Sequence, residues 1–160
     1  MEDIFSKEQL SKATKLDAST MESSVFINNK NGTFFRKRLP TEAQLSPIYG
    51  IAVDDFDGDG NKDILMGGNF YESKPEVGIY DASYGTLLKG DGKGSFTAMH
   101  AQQSGINVRG AVRDINLISV NKKRVVMFAL NNAAPKFYNV TDNLSASQFA
   151  EVKTKHAPNP

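Results

Sequence analysis

The chain has 160 residues, 39% hydrophobic and 23% charged, with 19 basic against 18 acidic side chains and a formal net charge of +1. That balance gives no electrostatic bias toward nucleic acid or an acidic membrane, and no apolar run of about 18 residues is present to span a bilayer. Zero cysteines exclude disulfides, thiolate metal sites and cysteine nucleophiles.

Residues 1–22 open on MEDIFSKEQLSKATKL, where Ser6 followed by Gln9 has the spacing of a capping box and predicts a short helix. The stretch lacks the apolar core of a signal peptide, so if a parent protein is exported its signal is expected upstream of this segment. Residues 24–39 read as two strands around a polar glycine turn, VFINNKNGTFF. Arg36, Lys37 and Arg38 follow, but strand alternation points Lys37 away from its neighbours, which argues against a nucleic-acid patch.

The richest stretch is DDFDGDGNKDILMGGN, residues 54–69, with Asp55, Asp57, Asp59 and Asp63 in one glycine-broken loop. Oxygen donors at alternate positions suit a hard cation of six to eight oxygen ligands, Ca²⁺. Unit charges about 4 Å apart repel by roughly 4 kcal/mol at an effective dielectric near 20. Such a loop is therefore expected to close around a cation. A helix-loop-helix calcium site fails here, because position 12 counted from Asp55 is Met66 where a bidentate Glu is required. The flanks GIAV and DILMGG are short and apolar, so the loop joins two strands.

The ligand set is Asp55, Asp57 and Asp59 by side chain, Asn61 by its carbonyl, and Asp63, with water or a second carboxylate oxygen filling the remainder. Asp54 has the opposite strand parity and is left out. The alternative is an acidic hairpin of solvated Asx turns with no metal.

Residues 69–84, NFYESKPEVGIYDASY, form an aromatic insertion with Phe70, Tyr71, Tyr80 and Tyr84. Tyrosines on a loop suit carbohydrate or protein contacts, or they fold back over a sheet edge. Glu72, Glu76 and Asp81 serve sugar hydrolysis only if two face each other at about 5–9 Å. His100 and His156 lie near no serine or zinc motif, and no catalytic residue is assigned. The triplets at Asn31, Asn139 and Asn143 are glycan acceptors only in a eukaryotic secreted protein.

The chain resembles itself. VFINNKNGTFF and TLLKGDGKGSF match, Gly32 with Gly94 and Phe34 with Phe96; IYGIAVDDFD has a counterpart in VRGAVRDIN, Gly50 with Gly110 and, after a gap, Asp55 with Asp114. A period of about 60 residues points to stacked units.

DDFDGDGNKDILMGG resembles the calcium loop of FG-GAP or VCBS repeats, the blades of integrin-α-type β-propellers, and all four carboxylate positions of DxDxDGxxD match. Residues 22 to 132 are similar to the carboxy-terminal repeat region of bacterial surface proteins of the ASPIC/UnbV type. The resemblance implies an all-β chain of about two and a half four-stranded antiparallel blades in an incomplete propeller. The N-terminal helical segment is 1–22 and the repeats span 23–152: the last strands of one blade at 24–39, a calcium blade at 49–100 and a degenerate blade at 109–152. A tail covers 153–160.

In the degenerate blade RDINLISVNKKR keeps only Asp114 and Asn116, so no metal is expected there. Lys122, Lys123 and Arg124 read as the cap of a solvated turn. Propellers close with typically four to eight blades, so the remaining blades of a parent protein, or another copy, are expected as partners. The implied function is an extracellular, cell-surface or periplasmic scaffold, adhesion or ligand-binding module, where calcium is millimolar. The competing reading is a glycan-processing enzyme or its carbohydrate-binding accessory domain.

Overall fold

In the computed structural model, which describes residues 4–14, 16–141 and 149–152, the chain is all-β with antiparallel sheets of two, four and four strands. The short N-terminal helix α1, Lys7–Ser11, is capped as its sequence predicts, Gln9 donating its N–H to Ser6 Oγ and Ser6 donating back to Gln9 Oε1. The first sheet pairs β1, Ser24–Asn28, with β2, Phe34–Arg38. The second runs in sequence order through β3, Ile48–Asp54, β4, Asp63–Gly68, β5, Thr86–Gly90, and β6, Phe96–Met99. After a short helix α2, Ala101–Ser104, comes the third sheet: β7, Val112–Val120, β8, Lys123–Leu130, β9, Lys136–Val140, and β10, Phe149–Glu151. The described residues form no closed ring of sheets. Asn143, His156 and the tail at 153–160 lie outside them.

Side-chain alternation sorts the core into two layers on either side of the middle sheet. Ile64, Met66 and Leu88 face one way, into a cluster with Leu39 and Ala43 that β1 joins through Val25. Leu65 and Leu87 face the other way, toward Val112, Ile115, Val126 and Phe128 of the third sheet. Every residue of β4 is buried. Each such aliphatic side chain is worth about 1.5–3 kcal/mol of burial, and a one-residue slip would exchange the two layers, so the register is tightly held.

Close approach of the middle and third sheets depends on glycine. A Cβ at Gly50 would lie 2.7 Å from Ile115 Cγ1, and one at Gly67 would lie 3.0 Å from Val112 Cγ1.

Two internal correspondences bear on the site. The β1–β2 and β5–β6 turns share a hydrogen bond, Asn29 N–H to Thr33 O at 3.0 Å and Asp91 N–H to Ser95 O at 3.1 Å. They also share left-handed residues, Gly32 at φ 84° with Gly94 at φ 80°. The structural correspondence between β3 and β7, strands of different sheets, is offset from the sequence match. Each strand has its bulge at the start, between Ile48 and Gly50 and between Val112 and Asp114. Each is preceded by a carbonyl that accepts from an asparagine N–H, Pro47 from Asn69 at 3.1 Å and Ala111 from Asn131 at 2.8 Å. The bulges therefore align Gly50 with Asp114 and Ile51 with Ile115; Gly110 falls outside the strand. Spacing alone cannot place a bulge, because the extra residue is set by the ladder.

Candidate metal centre

The loop between Asp54 and Asp63 is built by its own carboxylates. Asp55 accepts from Gly58 N–H at 2.7 Å and Gly60 N–H at 2.9 Å, and both glycines are left-handed, at φ 76° and 86°. Asp57 accepts from Asp59 N–H at 3.1 Å and Asp59 from Asn61 N–H at 2.8 Å. These Asx turns wind the chain into a coil with its carboxylates inward. Phe56, fully buried against Phe149 of the third sheet, anchors it from beneath.

Asp63 closes the coil. It is 1% exposed and accepts from Phe56 N–H and Gly90 N–H, both at 2.9 Å, tying the loop's start to β5. Burial pushes its pKa up and the nearby Asp57 and Asp59 charges push the same way, against the pull of those two N–H groups. Gly90 is obligatory: a Cβ there would collide with the Lys62 carbonyl.

Three of the five predicted ligands come together. Asp55, Asp57 and Asp63 each present a carboxylate oxygen, all within 4.8 Å of one another. Asp59 is not among them; its second oxygen is 3.0 Å from Lys89 Nζ. Asn61 gives its N–H to Asp59 and lays its side-chain oxygen against Gly92 in the β5–β6 turn. Asp54 stays outside the group, bonded to Lys62 Nζ at 2.9 Å and Arg124 at 2.9 Å. Those cations and the Asp55 N–H outweigh partial burial and hold its pKa below the usual range.

Lys89 was not foreseen from the loop. It projects from β5 and bonds both Asp57 and Asp59, and the two carboxylates, Asp57 first, raise its pKa. The chain thus supplies an ammonium where the clustered acids demand positive charge. The signal was in the strand pairing: Ile64 lies opposite Leu88, which brings residue 89 beside Asp63.

Arg124 departs from its sequence expectation. Far from capping a solvated turn, it crosses from β8 to Asp54 and donates to the Asp55 carbonyl at 2.6 Å, clamping the acidic loop to the third sheet. Lys122 and Lys123 are exposed. In the β1–β2 hairpin the basic residues are likewise engaged, Lys37 with Ser95 Oγ at 2.6 Å and Arg36 and Arg38 with Glu22 at 3.1 and 3.0 Å.

The aromatic insertion leaves the opposite end of the middle sheet. Phe70 and Tyr80 exchange two backbone bonds, at 2.8 and 2.9 Å. Tyr84 lies beneath the Arg109 guanidinium at 5.8 Å, and Glu72 accepts from Asn131 at 2.7 Å, so the insertion packs in part on the neighbouring sheet. Tyr71, Tyr80 and Tyr84 remain 40–47% exposed. Buried Asn69 pins its base, bonding Ser83 through both backbone groups and the Gly110 carbonyl.

An all-oxygen donor set of three carboxylates fits a hard divalent cation in chemistry. No protein-family model and no curated protein matches this chain. No helix of the described residues is long and apolar enough to cross a membrane.

Proposed function

We propose that this chain is a calcium-binding module of β-propeller repeat type, non-catalytic, serving as an extracellular or cell-surface scaffold for adhesion or ligand binding. The observation that carries the reading is the convergence of Asp55, Asp57 and Asp63 within 4.8 Å. In this reading those three hold Ca²⁺ directly, and the ion locks the β3–β4 loop against β5. Asp59 and the Asn61 carbonyl complete the shell after Lys89 withdraws. The exposed tyrosines of the insertion, at the other end of the same sheet, are the ligand-facing surface.

Thermal melting with calcium and with chelator tests it. At calcium a hundredfold above Kd the folded state gains about 2.7 kcal/mol, and a chain of this size shifts by about 2–4 °C per kcal/mol. Calcium should therefore raise the melting temperature by about 5–10 °C. The same melting temperature in calcium and in chelator would reject the assignment.

A further inference from the structure

We infer that the free edge of β1 and the bare outer strip of β3 form one docking surface, and that its occupant is a β-hairpin of a partner polypeptide with glycine or alanine on its inner face. The inference goes beyond the calcium reading and does not depend on it.

Two exposed residues carry it, each with a buried counterpart. Phe26 holds in β1 the place that Leu88 holds in β5, as the shared turn geometry fixes. Phe26 is 62% exposed, whereas Leu88 is fully buried. By the alignment of the bulges, Ile51 of β3 corresponds to Ile115 of β7; Ile51 is 56% exposed and Ile115 3%. Both exposed residues face the same way, away from the third sheet. Ile51 pairs across to Met66, which belongs to the layer under β1, and Phe26 alternates with Val25, which packs on that layer.

The backbone agrees with the side chains. β5 is paired on both edges, by β4 and β6, while among the described residues β1 pairs only with β2. An unpaired edge flanked by uncovered apolar side chains is the geometry that strand addition completes. The existing interface between the second and third sheets defines the chemistry of the occupant. There Ile115 and Val112 are covered by a hairpin whose facing positions are Gly50 and Gly67, and a Cβ at either would crowd them. A hairpin set on Ile51 in the same manner must be equally small on that face. The chain's own β3–β4 hairpin, residues 48–68, has that pattern and serves as the probe.

The test joins a second copy of residues 48–68 to the amino terminus of the full chain by a flexible linker and measures melting in chelator throughout, so that metal binding plays no part. The extension should raise the melting temperature, and the same extension with its own Gly50→Leu and Gly67→Leu should not. Ile51→Asp in the body of the chain should cost about 1–2 °C unextended, as an exposed site does, and several times more once extended. Equal costs in both, or no stabilisation by the extension, would overturn the inference. Concentration-dependent dimers of the unextended chain that Phe26→Asp abolishes would put a second copy on this surface and overturn it as well.

Discussion

The β3–β4 and β7–β8 connections occupy the same place in their two sheets and solve the same turn in opposite ways. The second is a two-residue turn, Val120 opposite Lys123, with Asn121 at φ 50° and Lys122 at φ 65°, the left-handed pair that matches strand twist. It needs no support. The first spans eight residues between Asp54 and Asp63, carries its acids inward, and is held by three cations, its own Lys62 and, from β5 and β8, Lys89 and Arg124. A tight turn is stabilised by its own dihedrals, whereas a long acidic loop is only as stable as its counter-charges. Such a loop is therefore open to a ligand that replaces one of them.

The largest expected effect breaks the acidic side of this comparison. Asp63→Ala leaves the Phe56 and Gly90 N–H groups buried without an acceptor, at about 1–3 kcal/mol each. Urea denaturation should show a loss on the order of 3 kcal/mol, while Lys122→Gly in the tight turn changes stability by less than about 0.5 kcal/mol. Comparable losses would mean that the two connections are held alike.

Lys89→Met sharpens it next. With the ammonium gone, Asp57 and Asp59 lose their resident cation, so the chain in chelator should lose about 1 kcal/mol, a figure kept small because Lys89 is 40% exposed. Calcium affinity should rise several-fold, because the ion no longer displaces a tethered charge. Weaker calcium binding in the variant would show that Lys89 assists the site.

Acid unfolding gives the smallest effect. The Asp54 pKa is lowered on folding, so its pairing with Lys62 and Arg124 contributes stability that is complete above the unfolded value of 3.8 and lost as pH falls below it. Asp63 has the opposite sign: its pKa is raised, so the folded state takes up its proton first and gains stability as pH falls toward 3.8. Asp54→Asn should flatten the acid limb of the stability curve, read by urea midpoints across pH 3 to 6. An unchanged limb would place the acid sensitivity elsewhere.

Much of this was legible in the sequence because it is local. Alternating aspartates with Gly58 and Gly60 specify a coiled turn, GIAV and DILMGG specify the strands that carry it, and Ser6 with Gln9 specifies the capped helix. The β1–β2 turn was readable from Gly32 for the same reason. What spacing hid is long-range. Lys89 reaches the loop only through the β4–β5 register, and Arg124 only through the packing of two sheets, so spacing within the loop points to neither. The alignment of Gly50 with Gly110 failed because a bulge, invisible in one strand's sequence, decides which residue stands opposite which.

Calorimetric titration of the chelator-treated chain with Ca²⁺, alongside Asp57→Ala, tests the central claim most directly. One ion per chain should bind with measurable heat, and the variant should give none while keeping its strand content. A flat titration of the parent chain, or equal binding by both, would contradict the account.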